Sequence, residues 1–450
     1  MPANGGVPPS EPVVALAVAV ALFLVGRVVI RRAAESEQDP WLAKALTVCL
    51  LLHLAAAPGQ IWVVDHIYGG TADFTGYVNQ GEILGAGFRH FDFSLAPAHL
   101  HKIVADGSLS IVAGVFFAVI GANELAVFFV FAFFSFLGIL FFYKAFVVTF
   151  GGAGKRRYGY LLFFLPTLIF WTSDVSKEAV MTFLLGVTAF GCARVLANRP
   201  GGYPLIVAAS VGGIFIRPNE LVLGLGGFVV AMLLRPVPPG STFEGPRRTA
   251  ALIFLGTMFG VAAFVSLKFL GSHGSLSLTT IARNNGGHSG AGFGSSLTGY
   301  SASPIYYPRD VYWVMFEPLP FDAHTKAQII TAFENTVILV VIVASWRRLR
   351  ALPRAVLGRP YIGLCLAYCL AFFYFFAALS NEGLITRERS VMMPFFLVLL
   401  AVPVGPKGKP PRYEWELKRR DRLARRRRLA AQARSRATRP HARPLTSAGR

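Results

Sequence analysis

Val64–Gly107, VDHIYGGTADFTGYVNQGEILGAGFRHFDFSLAPAHLHKIVADG, is a polar, acid-bearing stretch set between two apolar segments. It carries Asp65, Asp73, Glu82, Asp92 and Asp106, interleaved with His66, His90, His99, His101, Arg89 and Lys102. The chain on either side reads as bilayer-spanning helix, so chemistry has few places to reside. If the protein is an enzyme, its acid or base is expected in this stretch.

The flanks decide the class. Of the 450 residues, 54% are hydrophobic and only 15% charged, and the mean hydropathy is +0.53. That is too apolar for a soluble chain of this size, and the sequence predicts an all-α, polytopic integral membrane protein. The formal charge of +21 does not indicate nucleic acid. Much of it falls after Val404 and the rest marks the ends of apolar runs, which is the positive-inside pattern. Cys49, Cys192, Cys365 and Cys369 all lie in apolar segments, against a disulfide framework or a zinc site.

Charge order gives a topology. Pro12 to Ile30 follows a segment with no basic residue and is closed by Arg27, Arg31 and Arg32, the reverse of a cleaved signal peptide. The expectation is a retained helix with its N-terminus outside. Ala43 to Val64 then returns the chain outwards, so the acidic stretch faces out. Leu109 to Ile120 is short for a span of roughly twenty residues and is expected at the membrane surface. Leu125–Val147, Tyr158–Trp171, Glu178–Leu196, Tyr203–Ile216, Leu221–Leu234 and Thr249–Leu270 follow with alternating end charges. Ala327–Trp346, Tyr361–Leu379 and Ser390–Val404 complete about eleven spans. The membrane domain is read as residues 1–404, with outer loops at about 65–124 and 271–326, and residues 405–450 as a basic cytoplasmic tail, disordered or an amphipathic helix. That tail has sixteen Lys or Arg against Glu414, Glu416 and Asp421.

Ionisable groups gather at the expected outer ends of the spans: Asp174, Lys177 and Glu178; Arg217 and Glu220; Arg283 and Arg309; and Glu382, Arg387, Glu388 and Arg389. Charges near a bilayer are costly and mark pathways or sites. Lys and Arg there can hold a phosphate or pyrophosphate, Arg in bidentate fashion. A carboxylate of the first loop could accept a proton from an attacking hydroxyl. The bland alternative pairs Lys177 with Glu178, Arg217 with Glu220 and Arg387 with Glu388 as local surface charges. The histidines and acids of the first loop leave a divalent cation open, with no fixed ligand geometry; no other cofactor is called for and no metal ligands are assigned. The glycine-rich run from Gly286 to Ser296 lacks the Lys-Ser/Thr of a phosphate-binding loop and reads as a flexible loop over the site.

Asp73-Phe74-Thr75-Gly76-Tyr77 and the small-residue helix after it resemble the first outer loop of the C-type membrane glycosyltransferases. FFLPTLIFWTSDVSKEAVMTF (Phe163 to Phe183), Arg217-Pro218, EPLPFDAH (Glu317 to His324), and Asn-x-Gly with Arg-x-Arg between Asn381 and Arg389 resemble a family of bacterial envelope proteins grouped with glycosyltransferases or O-antigen-type polymerases. The resemblance implies a bacterial cell-membrane enzyme that transfers a sugar from a polyprenyl-phosphate-type donor to an envelope glycan or lipid acceptor on the outer face. It makes Asp73 the catalytic base and places Tyr77, Lys177, Glu178, Arg217, Arg387 and Arg389 at the substrate, the basic four on donor phosphate. Many members of that superfamily carry two adjacent acids in the loop, whereas Asp73 here lies between Ala72 and Phe74. The competing expectations are a repeat-unit polymerase, in which the arginine turns matter more than Asp73; a transporter or flippase of envelope lipids; and a scaffold working through the basic tail. No internal repeat supports the transporter.

Overall fold

The structure is a computed structural model that describes residues 10–67, 72–94, 106–235, 244–270, 304–377 and 382–404. Among the described residues all regular structure is helical. In chain order the helices are α1 (Ser10–Glu37), α2 (Pro40–His66), α3 (Asp73–Arg89), α4 (Asp106–Ile120), α5 (Glu124–Phe150), α6 (Lys155–Phe163), α7 (Pro166–Phe170), α8 (Lys177–Leu196), α9 (Gly202–Ile216) and α10 (Pro218–Leu234). There follow α11 (Glu244–Leu270), α12 (Tyr307–Phe316) after a 3₁₀ turn at Pro304–Tyr306, α13 (Lys326–Ala344), α14 (Trp346–Gly358), α15 (Pro360–Phe376) and α16 (Glu382–Ala401). His99, His101, Lys102, Arg283, the Gly286–Ser296 run, Asn381 and the 405–450 tail lie outside the described residues.

Helix boundaries follow side-chain capping. Asp39 accepts from Trp41 N at 3.2 Å ahead of Pro40, Asn123 accepts from Ala126 N at 2.9 Å, and Ser176 accepts from Ala179 N at 3.2 Å. Each satisfies a backbone N–H that the first turn leaves unpaired. Thr325 and Gln328 form a reciprocal capping box at the start of α13. Gly151, at φ +61°, supplies the left-handed residue that ends α5.

Among the described residues five helices are long and apolar enough to cross a membrane: α1 from Pro12, α2, α5, α8, and α11 over Arg248–Val265. The pair α13 and α14, bent by 65° at a short break, makes a sixth if it is one span. The other apolar segments of the sequence reading are also helical but shorter. α9, α10 and α15 have 15, 17 and 17 residues, which at about 1.5 Å per residue fall short of a ~30 Å hydrocarbon core. Tyr158–Trp171 is broken into α6 and α7 at Pro166, whose helix start is capped by Glu334: its Oε1 accepts from Thr167 N at 3.2 Å. α4 is 15 residues long and packs lengthwise on α3 instead of extending as a span.

α5 is the centre of the bundle. Phe128, Phe131, Phe136, Phe142 and Phe146 are all buried, and a helix apolar on every side belongs inside. It meets α8 with the two backbones almost touching: a Cβ on Gly138 would overlap the Thr182 carbonyl, and one on Gly186 would overlap the Gly138 carbonyl. Such small-residue crossings let apolar helices gain dispersion contact where lipid offers no hydrophobic drive. α3 and α4 use the same device, since a Cβ on Gly85 would lie 2.6 Å from Phe117 Cβ and 3.0 Å from Gly114 O.

The helix ends sort into two sets. At one end Lys155 bridges Asp39 (3.2 Å) and Glu37 (3.8 Å), Arg156 bonds Asp39 at 3.1 Å, and Arg157 donates to Ser345 Oγ at 2.7 Å and to Leu400 O at 3.3 Å. These ties gather the α1–α2, α5–α6 and α13–α14 turns with the end of α16. The guanidinium of Arg156, with Lys155, holds the Asp39 carboxyl below its usual range. At the opposite end lie the starts of α3, α4, α8, α10 and α16. Gly138→Ala is expected to cost about 1–3 kcal/mol by overpacking the α5–α8 crossing, while Gly256→Ala on open α11 surface is neutral or stabilising by up to about 1 kcal/mol. Thermal unfolding of the two detergent-solubilised variants checks this; equal midpoints would remove the tight crossing.

Candidate functional site

The ends opposite the arginine-rich turns converge on one ion cluster. Arg217 is the residue between α9 and α10, where Pro218 at the first helical position turns the chain. Its Nη2 donates to Glu178 Oε1 of α8 at 2.6 Å and its Nη1 to Glu220 Oε1 of α10 at 2.5 Å; Nη1 also pairs with Glu388 of α16. Arg387, one residue earlier on α16, donates to Glu178 Oε2 at 2.8 Å and to Asp73 Oδ2 at 2.6 Å. Glu178 therefore accepts from both guanidinium groups. Beside this ladder Lys177 pairs with Asp106 Oδ1 at 2.5 Å, and Tyr77 donates to the same oxygen at 2.9 Å.

Sequence neighbours do not pair as the bland reading expected, except Arg217 with Glu220. Adjacent residues on a helix point about 100° apart, so Lys177 reaches α4 while Glu178 turns inward, and Arg387 reaches α3 and α8 while Glu388 turns to Arg217. Long-range pairing binds α3, α4, α8, α10 and α16 into one constellation. Six of the seven sequence candidates, Asp73, Tyr77, Lys177, Glu178, Arg217 and Arg387, are brought together. The seventh is not. Arg389 is fully buried and donates to Met315 O at 2.6 Å, Val314 O at 3.4 Å and Asn335 Oδ1 at 2.7 Å, clamping the end of α12 to α13 and α16. Two residues away along α16 it lies on another face from Arg387, occupied by protein.

Exposure runs in one direction through the cluster. The side chains of Asp73 and Asp106 are 63% and 57% exposed, Arg387, Lys177 and Arg217 are 11–15% exposed, and Glu178 and Glu220 are wholly buried. The outer carboxylates can exchange for another anion, whereas the inner ones are fixed. Five carboxylates face three cations in these pairs, so an added phosphate must displace an acid and cannot merely join. Tyr77, one helical turn beyond Asp73, is held neutral as a donor, because burial and the Asp106 carboxylate push its hydroxyl well above its ordinary value.

Asp174 sits in the turn between α7 and α8, outside both helices. Burial raises its carboxyl to about 6 against the opposing pull of Arg387, and its Oδ1 has no hydrogen-bond partner. Sequence reasoning named Asp106, Asp174, Glu220 and Glu388 as ionisable but assigned them no role in the site. The helix-start positions that placed Lys177 and Arg387 there were the signal available. Among the described residues no group of three or more His, Cys, Asp or Glu is disposed to hold a metal. His66 stacks on Trp62, and His90 ends α3.

A groove of about 400 Å³ runs along α4, α5, α8 and α9. It is lined by Ser108, Val112, Val180, Leu184, Phe215 and Ile216 among others, and its walls are almost entirely apolar. Ser108, Val180 and Ile216 stand within one helical turn along the chain of Asp106, Lys177 and Arg217, so the groove begins near these helix starts, although none of the cluster's charged residues lines it. Compared with known proteins, the chain matches no family model, no curated protein and no solved structure.

Arg217→Gln leaves three buried carboxylates without their shared cation, and is expected to cost about 3–5 kcal/mol; denaturant unfolding in detergent measures this, and a loss below about 1 kcal/mol would refute the shared pairing. Asp174 gives a pH signature. Its folded value lies above the 3.8 of the free side chain, so between pH ~4 and ~6 the folded state holds the extra proton, and stability falls as pH rises through that window. Relative to Asp174→Asn, the parent should lose up to about 3 kcal/mol between pH 4 and 7; parallel profiles for the two proteins would place the carboxyl in water.

Proposed function

We propose that the protein is an integral-membrane glycosyltransferase of the bacterial cell envelope. It transfers a sugar from a polyprenyl-phosphate-type donor to an envelope glycan or lipid acceptor on the outer face. The observation that carries this reading is that an apolar groove along α4, α8 and α9 is lined by Ser108, Val180 and Ile216, each within a helical turn along the chain of Asp106, Lys177 or Arg217 of the ion cluster. An amphiphile with an anionic head fits both, its isoprenoid chain along Val112, Val180, Leu184 and Phe215 and its phosphate at Lys177 and Arg387. The topology of about eleven spans, with the N-terminus outside and the basic tail in the cytoplasm, belongs to the same proposal. Its support is that Asp73, Asp106, Lys177, Arg217 and Arg387 share one end of the bundle while Lys155, Arg156 and Arg157 share the other.

In this reading donor binding readies the base. The phosphate takes Lys177 and Arg387, displacing Asp106 and Asp73, their most exposed partners. Asp73, released from its guanidinium, turns a free carboxylate oxygen to the acceptor hydroxyl and accepts its proton as that oxygen attacks the anomeric carbon. The bond from that carbon to the phosphate oxygen breaks, and the leaving phosphate keeps its charge against Lys177 and Arg387. Glu178, Arg217, Glu220 and Glu388 hold the Arg387 guanidinium in position from below. Tyr77 orients Asp106 at the rim.

The test is a reconstituted assay with radiolabelled polyprenyl-phosphate sugars and cell-envelope acceptor. Asp73→Asn is expected to lower kcat by about 10²–10⁴-fold with little change in donor KM. Lys177→Ala is expected to raise donor KM. Full turnover by Asp73→Asn would remove the base, and absence of transfer by the parent across a donor panel would favour a carrier of envelope lipids.

A further inference from the structure

α1 and α2 form an antiparallel hairpin, and a second groove, of about 780 Å³, opens between them far from the ion cluster. One wall is a stripe on α1, Arg27, Arg31 and Ala34–Glu35, and the other a stripe on α2, Pro40, Ala43–Lys44 and Thr47–Val48. Both follow the three- and four-residue spacing of a single helix face. The volume is in the range of ligand pockets, about 300–1,000 Å³.

Three cations enter this groove, and their pairing is unlike that at the cluster. Arg27 and Lys44 have no carboxylate partner among the described residues, and both are exposed. Arg31 has only Glu35 one turn on, at 2.9 Å, with both side chains well exposed, a pairing that contributes little. Arg27 lies ten residues from the end of α1, about 15 Å of helix, one turn before Arg31 at the edge of the apolar run. An unpaired cation there is costly unless an anion meets it. Val28, Ile30, Ala43 and Val48 supply apolar walls beside the charges.

We propose that this groove binds an anionic phospholipid. The headgroup phosphate sits between the Arg27 guanidinium and the Lys44 ammonium, which lies nearer the α1–α2 turn, and the acyl chains lie along the apolar parts of α1 and α2. Guanidinium matches phosphate bidentately, and the ammonium adds charge without demanding geometry. A zwitterionic lipid brings its own cation into a site that already holds three, and a free phosphate makes no use of the walls. The site is separate from the proposed transfer reaction and stands without it.

The full-length protein is purified in a neutral detergent, and native mass spectrometry titrates it with phosphatidylglycerol, phosphatidylcholine or inorganic phosphate. The parent should retain phosphatidylglycerol in preference to phosphatidylcholine, with millimolar phosphate failing to displace it. At about fivefold per cation, the double variant Arg27→Gln, Lys44→Gln should bind about twenty-five-fold more weakly. The basic C-terminal segment is identical in both proteins, so the difference reports on the groove. If the double variant fails to fold, Arg27→Gln and Arg27→Lys replace it, with the lysine variant expected to retain more lipid. Equal retention by parent and neutralised variant, equal affinity for the two lipids, or displacement by inorganic phosphate would each overturn the proposal.

Discussion

The shared guanidinium of Arg217 is the interaction on which the rest depends. One cation meets Glu178, Glu220 and Glu388 from three helices inside an otherwise apolar bundle. Removing charges from water is expensive, and their attraction repays it only where geometry and hydrogen bonding are nearly complete. Such a cluster is therefore poor as a source of stability compared with packed hydrocarbon. What it does supply is register. α8, α10 and α16 cannot rotate or slide by a turn without leaving a buried carboxylate unpaired, and Glu178, through its second oxygen, carries that constraint to Arg387 and so to Asp73 on α3.

Fixed depth and exchangeable rim then follow from burial alone. The inner carboxylates have no route to water, while Asp73 and Asp106 can leave their partners and be solvated. A preorganised guanidinium with a removable counter-ion is a receptor that responds to anions able to compete with aspartate. Phosphate, carrying more charge and more oxygens, is the natural competitor. Under the proposed function, the apolar groove along α4, α8 and α9 favours phosphates joined to a long apolar chain.

How far the sequence discloses this can be traced by residue. The helical character of the apolar runs and the placing of Asp73, Lys177, Arg217 and Arg387 at helix ends were legible, because charge at the edge of an apolar run has few other meanings. The pairing was not. Whether Lys177 meets Glu178 or Asp106 depends on helix rotation and on which helices adjoin, and neither is encoded locally. Arg389 shows the cost of reading by motif: in the Arg-x-Arg pair the two side chains diverge, one to the cluster and the other to the carbonyls of Val314 and Met315. Span number was legible only in part, because α9, α10 and α15 are apolar yet short, and Pro166 divides a run that hydropathy reads as continuous.

The ion cluster and the α1–α2 groove use cations by opposite rules. At the cluster every cation is already paired, so an anion enters only by exchange, and the ligand must repay the displaced aspartates. That condition favours discrimination. Along the α1–α2 groove Arg27 and Lys44 have no carboxylate among the described residues to displace, so attraction is immediate, long-ranged and screened by salt, with a reach of about 8–10 Å at physiological ionic strength. That condition favours capture of whatever anionic lipid is abundant. If the protein acts as proposed, choosing one lipid-linked phosphate among many while surrounded by anionic lipid, it has a physical reason to keep the two modes apart. Burial of Glu178 and Glu220 keeps the selective end selective, because abundant lipid phosphate reaching the cluster would first have to displace Asp73 or Asp106.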